Sequence, residues 1–200
     1  MNILVTGGTG FLGRHIIERS IAQGHNVVGL SHSEAREKEV QLQFPEVSFY
    51  STDISHNKDI LDSIVKKHDI DYIIHAAAMK YIGICENNPT RTVQVNIDGS
   101  RNIIDVAKNN GVKNVVAVST DKAINPTSVY GSSKFLMEKL MLENDFSVIQ
   151  GVNFFFSTGS VLDLWERCRT EGEEIGVNVD DTIRYFVSAY DVADKILESL

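Results

Sequence analysis

Cysteine is nearly missing from these 200 residues: Cys85 and Cys168 are the only two, they lie far apart, and they form neither a metal-ligand spacing nor a redox pair. A disulfide scaffold and a cysteine-held metal site are thereby excluded, no other metal site is expected, and a reducing, cytoplasmic setting is the default. Positive charge is also short. Nineteen lysines and arginines against 27 acids leave a net charge of −8, which disfavours a broad electrostatic hold on nucleic acid or an anionic membrane surface. Any anionic ligand must be met locally. No apolar run approaches the roughly 20 residues that cross a bilayer, and the start, Met1-Asn2-Ile3-Leu4, runs into a glycine loop without a basic leader. Neither secretion nor membrane anchoring is expected. Internal repeats, low-complexity tracts and long linkers are likewise absent.

What is present is an ordinary globular composition, 42% hydrophobic and 23% charged, at a length that suits one domain. Short Val/Ile-rich runs predict strands over 3–6, 26–30, 47–50, 72–75, 114–119 and 147–152. Between them, segments of helical length and spacing predict helices over 11–23, 33–43, 57–68, 89–110 and 128–143. Asn88 with Pro89 makes an N-cap and first-turn pair, while Gly24 and Gly111 are helix stops. This alternation gives an α/β fold, a doubly wound parallel sheet of Rossmann type with its ligands at the carboxyl ends of the strands. After Val152 the rhythm weakens to a helix ending near Glu171, a short strand at 184–187 and a last helix from Ser188. Residues 1–200 are therefore read as one dinucleotide-binding domain in which 153–200 add a small, reduced substrate cap.

Gly7, Gly10 and Gly13 recur every third residue in Thr6-Gly7-Gly8-Thr9-Gly10-Phe11-Leu12-Gly13, between the first strand and the first helix. Glycine permits the tight turn, the approach of backbone to a pyrophosphate and close helix packing, and the helix N-terminus supplies donors and a favourable dipole. A dinucleotide is expected there. At the end of the second strand an acid would bind the ribose hydroxyls of NAD; the chain instead has Ser31-His32-Ser33 followed by Arg36, which favours the 2′-phosphate of NADP, with NAD the alternative. Asp53, in Thr52-Asp53-Ile54, can accept from an adenine amino group or cap a helix.

Ser119-Thr120-Asp121-Lys122 ends the fifth strand, and Tyr130 and Lys134 follow one helical turn apart on a shared face. An ammonium beside a phenol favours the phenolate and can hold a nicotinamide ribose, and a phenolate near a hydroxyl assists hydride removal from carbon. Asp121 and Lys122 stand where a substrate would meet the nicotinamide, as a proton donor and a proton acceptor.

The segments Thr6 to Gly13, His75-Ala76-Ala77-Ala78-Met79-Lys80, Asn96 to Asn102, and Ser119 to Pro126 through Tyr130-Gly131-Ser132-Ser133-Lys134 resemble the extended short-chain dehydrogenase family. They are most similar to its C5-inverting UDP-N-acetylglucosamine 4,6-dehydratases and polysaccharide-biosynthesis dehydratases, in which Lys122 is distinctive because retaining dehydratases carry Glu there. The resemblance implies a catalytic set of Thr120, Asp121, Lys122, Tyr130 and Lys134. It implies a cofactor site of Gly7, Thr9, Gly10, Phe11, Leu12, Gly13, Ser31, His32, Arg36, Asp53, Ile54, Ala76, Ala77, Ala78, Lys80, Asn96, Ser119, Tyr130 and Lys134. Lys80, Thr120 and Asn153 would hold a UDP-sugar, and the chain would form a homo-oligomer through helices 89–110 and 128–143.

Two departures stand out. The family is about half as long again, and its Arg before a Gly-Asn pair appears here as Gln150, ahead of Val152-Asn153. An epimerase or ketoreductase using only Tyr130 and Lys134, and a non-catalytic NADP-binding module, are the competing readings.

Overall fold

Strand β1 (Asn2–Thr6) lies at the centre of a six-stranded sheet with β2 (Asn26–Ser31), β3 (Ser48–Ser51), β4 (Tyr72–His75), β5 (Asn114–Thr120) and β6 (Ser147–Gly151). The computed structural model describes residues 1–177 and 183–200. Every pairing is parallel, in the order β3-β2-β1-β4-β5-β6. Parallel neighbours cannot be joined by tight turns, so each connection crosses over through helix. The crossovers are α1 (Phe11–Ala22), α2 (Glu34–Gln43), α3 (Lys58–Lys67), the series α4 (Ile82–Asn87), α5 (Pro89–Val93) and α6 (Gly99–Asn109), and α7 (Val129–Glu143). Among the described residues no helix is long and apolar enough to cross a membrane.

The inner strands β2, β1, β4 and β5 are largely apolar because both faces are covered, whereas the edge strands β3 and β6 keep exposed polar residues. Leu4, Ile73, Val115 and Ala117 point into one cluster with Leu61, Ile103, Met137 and Met141 from α3, α6 and α7. Their alternates Ile3, Val5, Ile74 and Val116 point the other way, against Ile16 and Ile17 of α1 and Val192, Ala193 and Ile196 of α9 (Ala189–Glu198). At roughly 1.5–3 kcal/mol for each fully buried Leu, Ile or Val, these two layers hold the crossovers in place. Arg19 of α1 also grips Asp194 of α9 with two hydrogen bonds of 2.6 and 2.9 Å.

One expectation is corrected in detail, and one helix is added. The helix anticipated over 89–110 is α5 and α6 joined by a wide π-helical turn at Gln94–Asp98, and α4, six residues long, carried too little periodicity to be foreseen. Beyond β6 come a two-stranded parallel ribbon, β7 (Asn153–Phe154) with β8 (Phe186–Val187), and α8 (Val161–Glu171), before α9 returns to the main sheet. From β1 the chain proceeds outward to β2 and β3, then returns to build β4, β5 and β6 on the other side. That reversal opens a crevice at the carboxyl ends of β1 and β4, beside Thr6 and His75.

Candidate active site

The glycine loop lies across this crevice. Gly7 has φ +70°, a Cβ on it would lie 2.9 Å from the Ala77 nitrogen, and one on Gly13 would lie 2.2 Å from the Gly7 carbonyl, so larger residues would prise the loop off β4 and α1. The α1 N-terminus has no side-chain cap and no acid in its first turn, which leaves its donors and positive dipole end facing the crevice. Thr9 bonds to Ser31 (2.8 Å), tying the loop to the end of β2, and Ser31 also accepts from the Ser33 amide. Ser119, near the end of β5, has a buried hydroxyl without a partner among the described residues. A cradle that any Cβ would fill, free helix donors and an orphaned hydroxyl all suit a bound dinucleotide.

At the β2 end His32 and Arg36 are exposed, and the structure adds an acid there that strand-end reading missed. Burial raises the Glu37 carboxyl above its usual range, while the Ser51 and Ser31 hydroxyls act in the opposite direction. Asp53 is not the cap of α3, a place taken by Asn57. One of its oxygens accepts from the Ser55 amide (2.9 Å) and hydroxyl (2.6 Å), and the other pairs with Arg91. Burial opposes ionisation of Asp53, but Ser55 and Arg91 outweigh it and hold the carboxyl down at about 2. The Ile54 side chain is core, packed where a Cβ on Gly99 would collide with it at 2.8 Å.

A buried polar chain underlies the crevice. Ser100 donates to the Asn96 carbonyl (2.7 Å), so its oxygen is free to accept from His75 Nε2 (3.0 Å). His75 Nδ1 is then the unprotonated nitrogen and accepts from the Thr6 hydroxyl (2.7 Å), whose oxygen in turn receives the Ala77 amide. Burial pushes His75 down to about 3, with Lys134 contributing, so it is neutral. Asn96, in the π-helical turn, accepts from the Met79 amide and donates to the Met79 carbonyl and to Ser133 (2.9 Å). It is 1% exposed, a clamp between the loop after β4 and the helix that carries Tyr130. Ala76, Ala77 and Ala78 are half-buried on that same loop. Lys80 lies further on, and its ammonium and the Tyr81 hydroxyl both donate to the Thr158 carbonyl at 3.2 Å. Burial and then Arg36 lower its pKa.

Helix α7 starts on the Ser128 cap, which accepts from Gly131, and on Glu86 of α4, which accepts from the Val129 amide. Gly131 lets the helix press on the turn at 121–123, since a Cβ there would come 2.3 Å from the Lys122 carbonyl. Tyr130 is thereby brought against Thr120. Thr120 donates to Asp121 Oδ1 (3.0 Å), and Lys122 Nζ reaches the same oxygen at 3.0 Å. Burial disfavours the Asp121 carboxylate, yet Lys122 and Thr120 lower its pKa on balance. Burial pushes Tyr130 up to about 12 against the opposing effect of Thr120, and brings Lys134 down to about 8 against the pull of Glu138. Thr120, Asp121, Lys122 and Tyr130 thus form one contiguous group, with Lys134 one turn deeper.

Asn153 is turned elsewhere: its amide donates to the Tyr185 carbonyl (3.1 Å) within the β7–β8 ribbon. Gln150 donates to Glu138, a buried carboxylate that sequence reading passed over although it repeats the spacing from Tyr130 to Lys134. Surface hollows of about 330 Å³ beside Ile70 and Asn110 and of about 320 Å³ beside Tyr50 and Ser63 hold none of these groups.

Fold and site together define a Rossmann protein of the extended short-chain dehydrogenase type. Residues 3–200 match the polysaccharide biosynthesis protein family, and the chain belongs to that family. It is 32% identical, over 99% of its length, to the inverting UDP-N-acetylglucosamine 4,6-dehydratase of Campylobacter jejuni, 63% of which it covers. To UDP-glucose 4-epimerase of Rickettsia rickettsii it is 30% identical over 98% of its length and 61% of the relative. Pen from Bacillus thuringiensis superimposes with a TM-score of 0.92 at 31% identity, covering 98% of this chain and 66% of that one. UDP-glucose 4-epimerase from Thermotoga maritima, solved with UDP-glucose, gives 0.90 at 25% identity, covering 98% and 72%. The chain therefore spans a little over three fifths of the length of the curated relatives it matches.

Proposed function

We propose that this chain carries the cofactor-binding and proton-transfer machinery of a C5-inverting UDP-N-acetylglucosamine 4,6-dehydratase that uses NADP, with residues 153–200 as its substrate cap. The observation that carries the reading is the Asp121–Lys122 pair, joined through Thr120 to the neighbourhood of Tyr130. Cofactor binding alone has no use for an acid and an amine at that place. NADP, when bound, would supply a hydride acceptor that is regenerated within each turnover. The glycine loop, the α1 N-terminus, Ser31, His32, Arg36, Ala76 to Ala78, Ser119 and Lys134 would hold it, with Asn96 acting through the Met79 loop.

In this reading Tyr130 takes the proton of the sugar C4 hydroxyl, Thr120 hydrogen-bonds the C4 oxygen, Lys122 removes the C5 proton, and Asp121 protonates the departing C6 hydroxyl as water. Lys122 must be neutral and Asp121 protonated at that moment. The resting ion pair already contains the one proton required, so a single transfer from Lys122 to Asp121 generates both partners. Excluding water favours that neutral pair over two buried charges. Lys80 and Asn153 would contact the sugar or its phosphates after giving up Thr158 and Tyr185.

Two relatives that are UDP-glucose 4-epimerases favour a second reading in which only Tyr130 and Lys134 act. Incubating the protein with UDP-N-acetylglucosamine and NADP, and following the sugar nucleotide by mass spectrometry and NMR, separates the two. A loss of ~18 Da, one water, that Lys122→Ala and Tyr130→Phe both abolish establishes the dehydratase. An inverted C4 at unchanged mass, insensitive to Lys122→Ala, refutes it in favour of the epimerase.

A further inference from the structure

Tyr130, Lys134 and Glu138 follow one another at four-residue intervals, so α7 presents all three along one inward face. Lys134 is 3% exposed and Glu138 8%. A carboxylate that deep needs compensation, and Glu138 receives a single hydrogen bond among the described residues, from Gln150 Nε2 at 2.9 Å. Gln150 is neutral. It stands at the edge of β6, at the position where the family resemblance leads one to expect Arg.

We propose that Glu138 is a positioning residue that keeps Lys134 charged, and that the neutral Gln150 is what leaves the full charge of Glu138 available for this. Among the described residues the other groups facing this helix do not do the same: Glu86 of α4 is exposed and holds the Val129 amide at the helix start. His75, from β4, is neutral and locked in its hydrogen-bond chain. Tyr130 is a neutral phenol, Cys85 of α4 faces Tyr130, and Asp121 and Lys122 are engaged with one another. An arginine at position 150 would pair with Glu138 and cancel its influence on Lys134. The consequence for turnover rests on the proposed cofactor-dependent reaction, in which the Lys134 ammonium holds the nicotinamide ribose and supports the Tyr130 phenolate. The electrostatic relation itself does not.

The test is to titrate Lys134 directly, following its Cε resonance in protein labelled with ¹³C-lysine and assigned with Lys134→Arg. The wild-type midpoint is expected at about 8. In Glu138→Gln it falls by about one pH unit, the scale set by opposite charges one helical turn apart in a partly screened interior. In Gln150→Arg, an exposed position whose replacement leaves the core intact, it falls in the same direction. NADP affinity, measured by calorimetry across pH, loses its alkaline limb correspondingly earlier in both variants. An unchanged Lys134 midpoint in folded Glu138→Gln overturns the proposal; should that variant fail to fold, an unchanged midpoint in Gln150→Arg does so. If the midpoints shift but no form binds NADP, the role of Glu138 stands and the cofactor reading falls.

Discussion

His75 should make this protein acid-labile in a manner that one substitution removes. The imidazole is buried and neutral, with Nδ1 accepting from Thr6 and Nε2 donating to Ser100, and its pKa is depressed from 6.5 to about 3. The folded state therefore binds fewer protons here than the unfolded chain, and stability is fully present above pH 6.5 and lost as pH falls toward 3. Between pH 7 and pH 4.5 the unfolded histidine gains its proton while the folded one does not, so this group alone withdraws about 2.7 kcal/mol, two pH units at about 1.4 kcal/mol each. Asp53 enters only below this window, its stabilisation being lost as pH falls from 3.8 toward about 2, and the lowered His25 and His68 are common to wild type and variant and cancel in their difference. Urea unfolding of the wild type and of His75→Gln, which keeps a donor near Ser100 but cannot ionise, should give a smaller stability for the variant at pH 7 and a difference narrowing by roughly that amount at pH 4.5. Parallel pH profiles for the two proteins would refute the assignment of a neutral, network-locked imidazole.

Gly131→Ala places a Cβ 2.3 Å from the Lys122 carbonyl; the proposed dehydration should fall at least about tenfold while affinity for the proposed cofactor changes by less than about twofold, and equal losses in both would show that the turn at 121–123 is not separately positioned. On the proposed NADP reading, Arg36→Ala should weaken NADP by about tenfold, the scale of one charge-assisted hydrogen bond, and leave NAD unaffected in calorimetry. Equal affinity for both cofactors in the wild type would instead point to Glu37 as the ribose contact. Leu136 and Leu142 are half-exposed on α7, so Leu136→Glu with Leu142→Glu should lower the mass seen by sedimentation if this helix joins copies of the chain, and an unaltered mass would exclude that face.

The sheet was legible because its inner strands are buried on both faces, so that Val and Ile accumulate there without the alternation that would blur them into amphipathic surface. The glycine loop was legible because close approaches at Gly7 and Gly13 leave no choice of residue. Pairings distant in sequence were not. Asp53 meets Arg91, 38 positions on, and nothing local to either signals it. Asn96 reads as a ligand-facing polar residue from its surroundings in sequence, yet the wide turn at Gln94–Asp98 rotates it inward onto Met79 and Ser133. Gln150 reads as a lost phosphate contact until the fold turns its amide toward Glu138. Glu138 itself was within reach, since its spacing from Lys134 repeats that of Lys134 from Tyr130, but a lone acid on a helix otherwise suggests solvent.

The resting protonation states explain why Lys134 is the sensitive point of the proposed site. With Tyr130 at about 12, forming its phenolate at pH 7 costs about 7 kcal/mol, five pH units at about 1.4 kcal/mol each. The ligand-free protein therefore keeps its base protonated, and the stabilisation must come from the Thr120 hydroxyl, the Lys134 ammonium and the charge that binding brings. Thr120 cannot titrate, and Asp121 and Lys122 neutralise each other. Lys134, at about 8, is the member of this group that changes charge nearest to neutrality. The alkaline limb of kcat/KM should then belong to Lys134 and not to Tyr130: activity falls as pH rises through about 8, and the fall begins at lower pH in Glu138→Gln. A limb that stays in place in that variant would assign it to another group and return the burden of Tyr130 ionisation to the bound ligands.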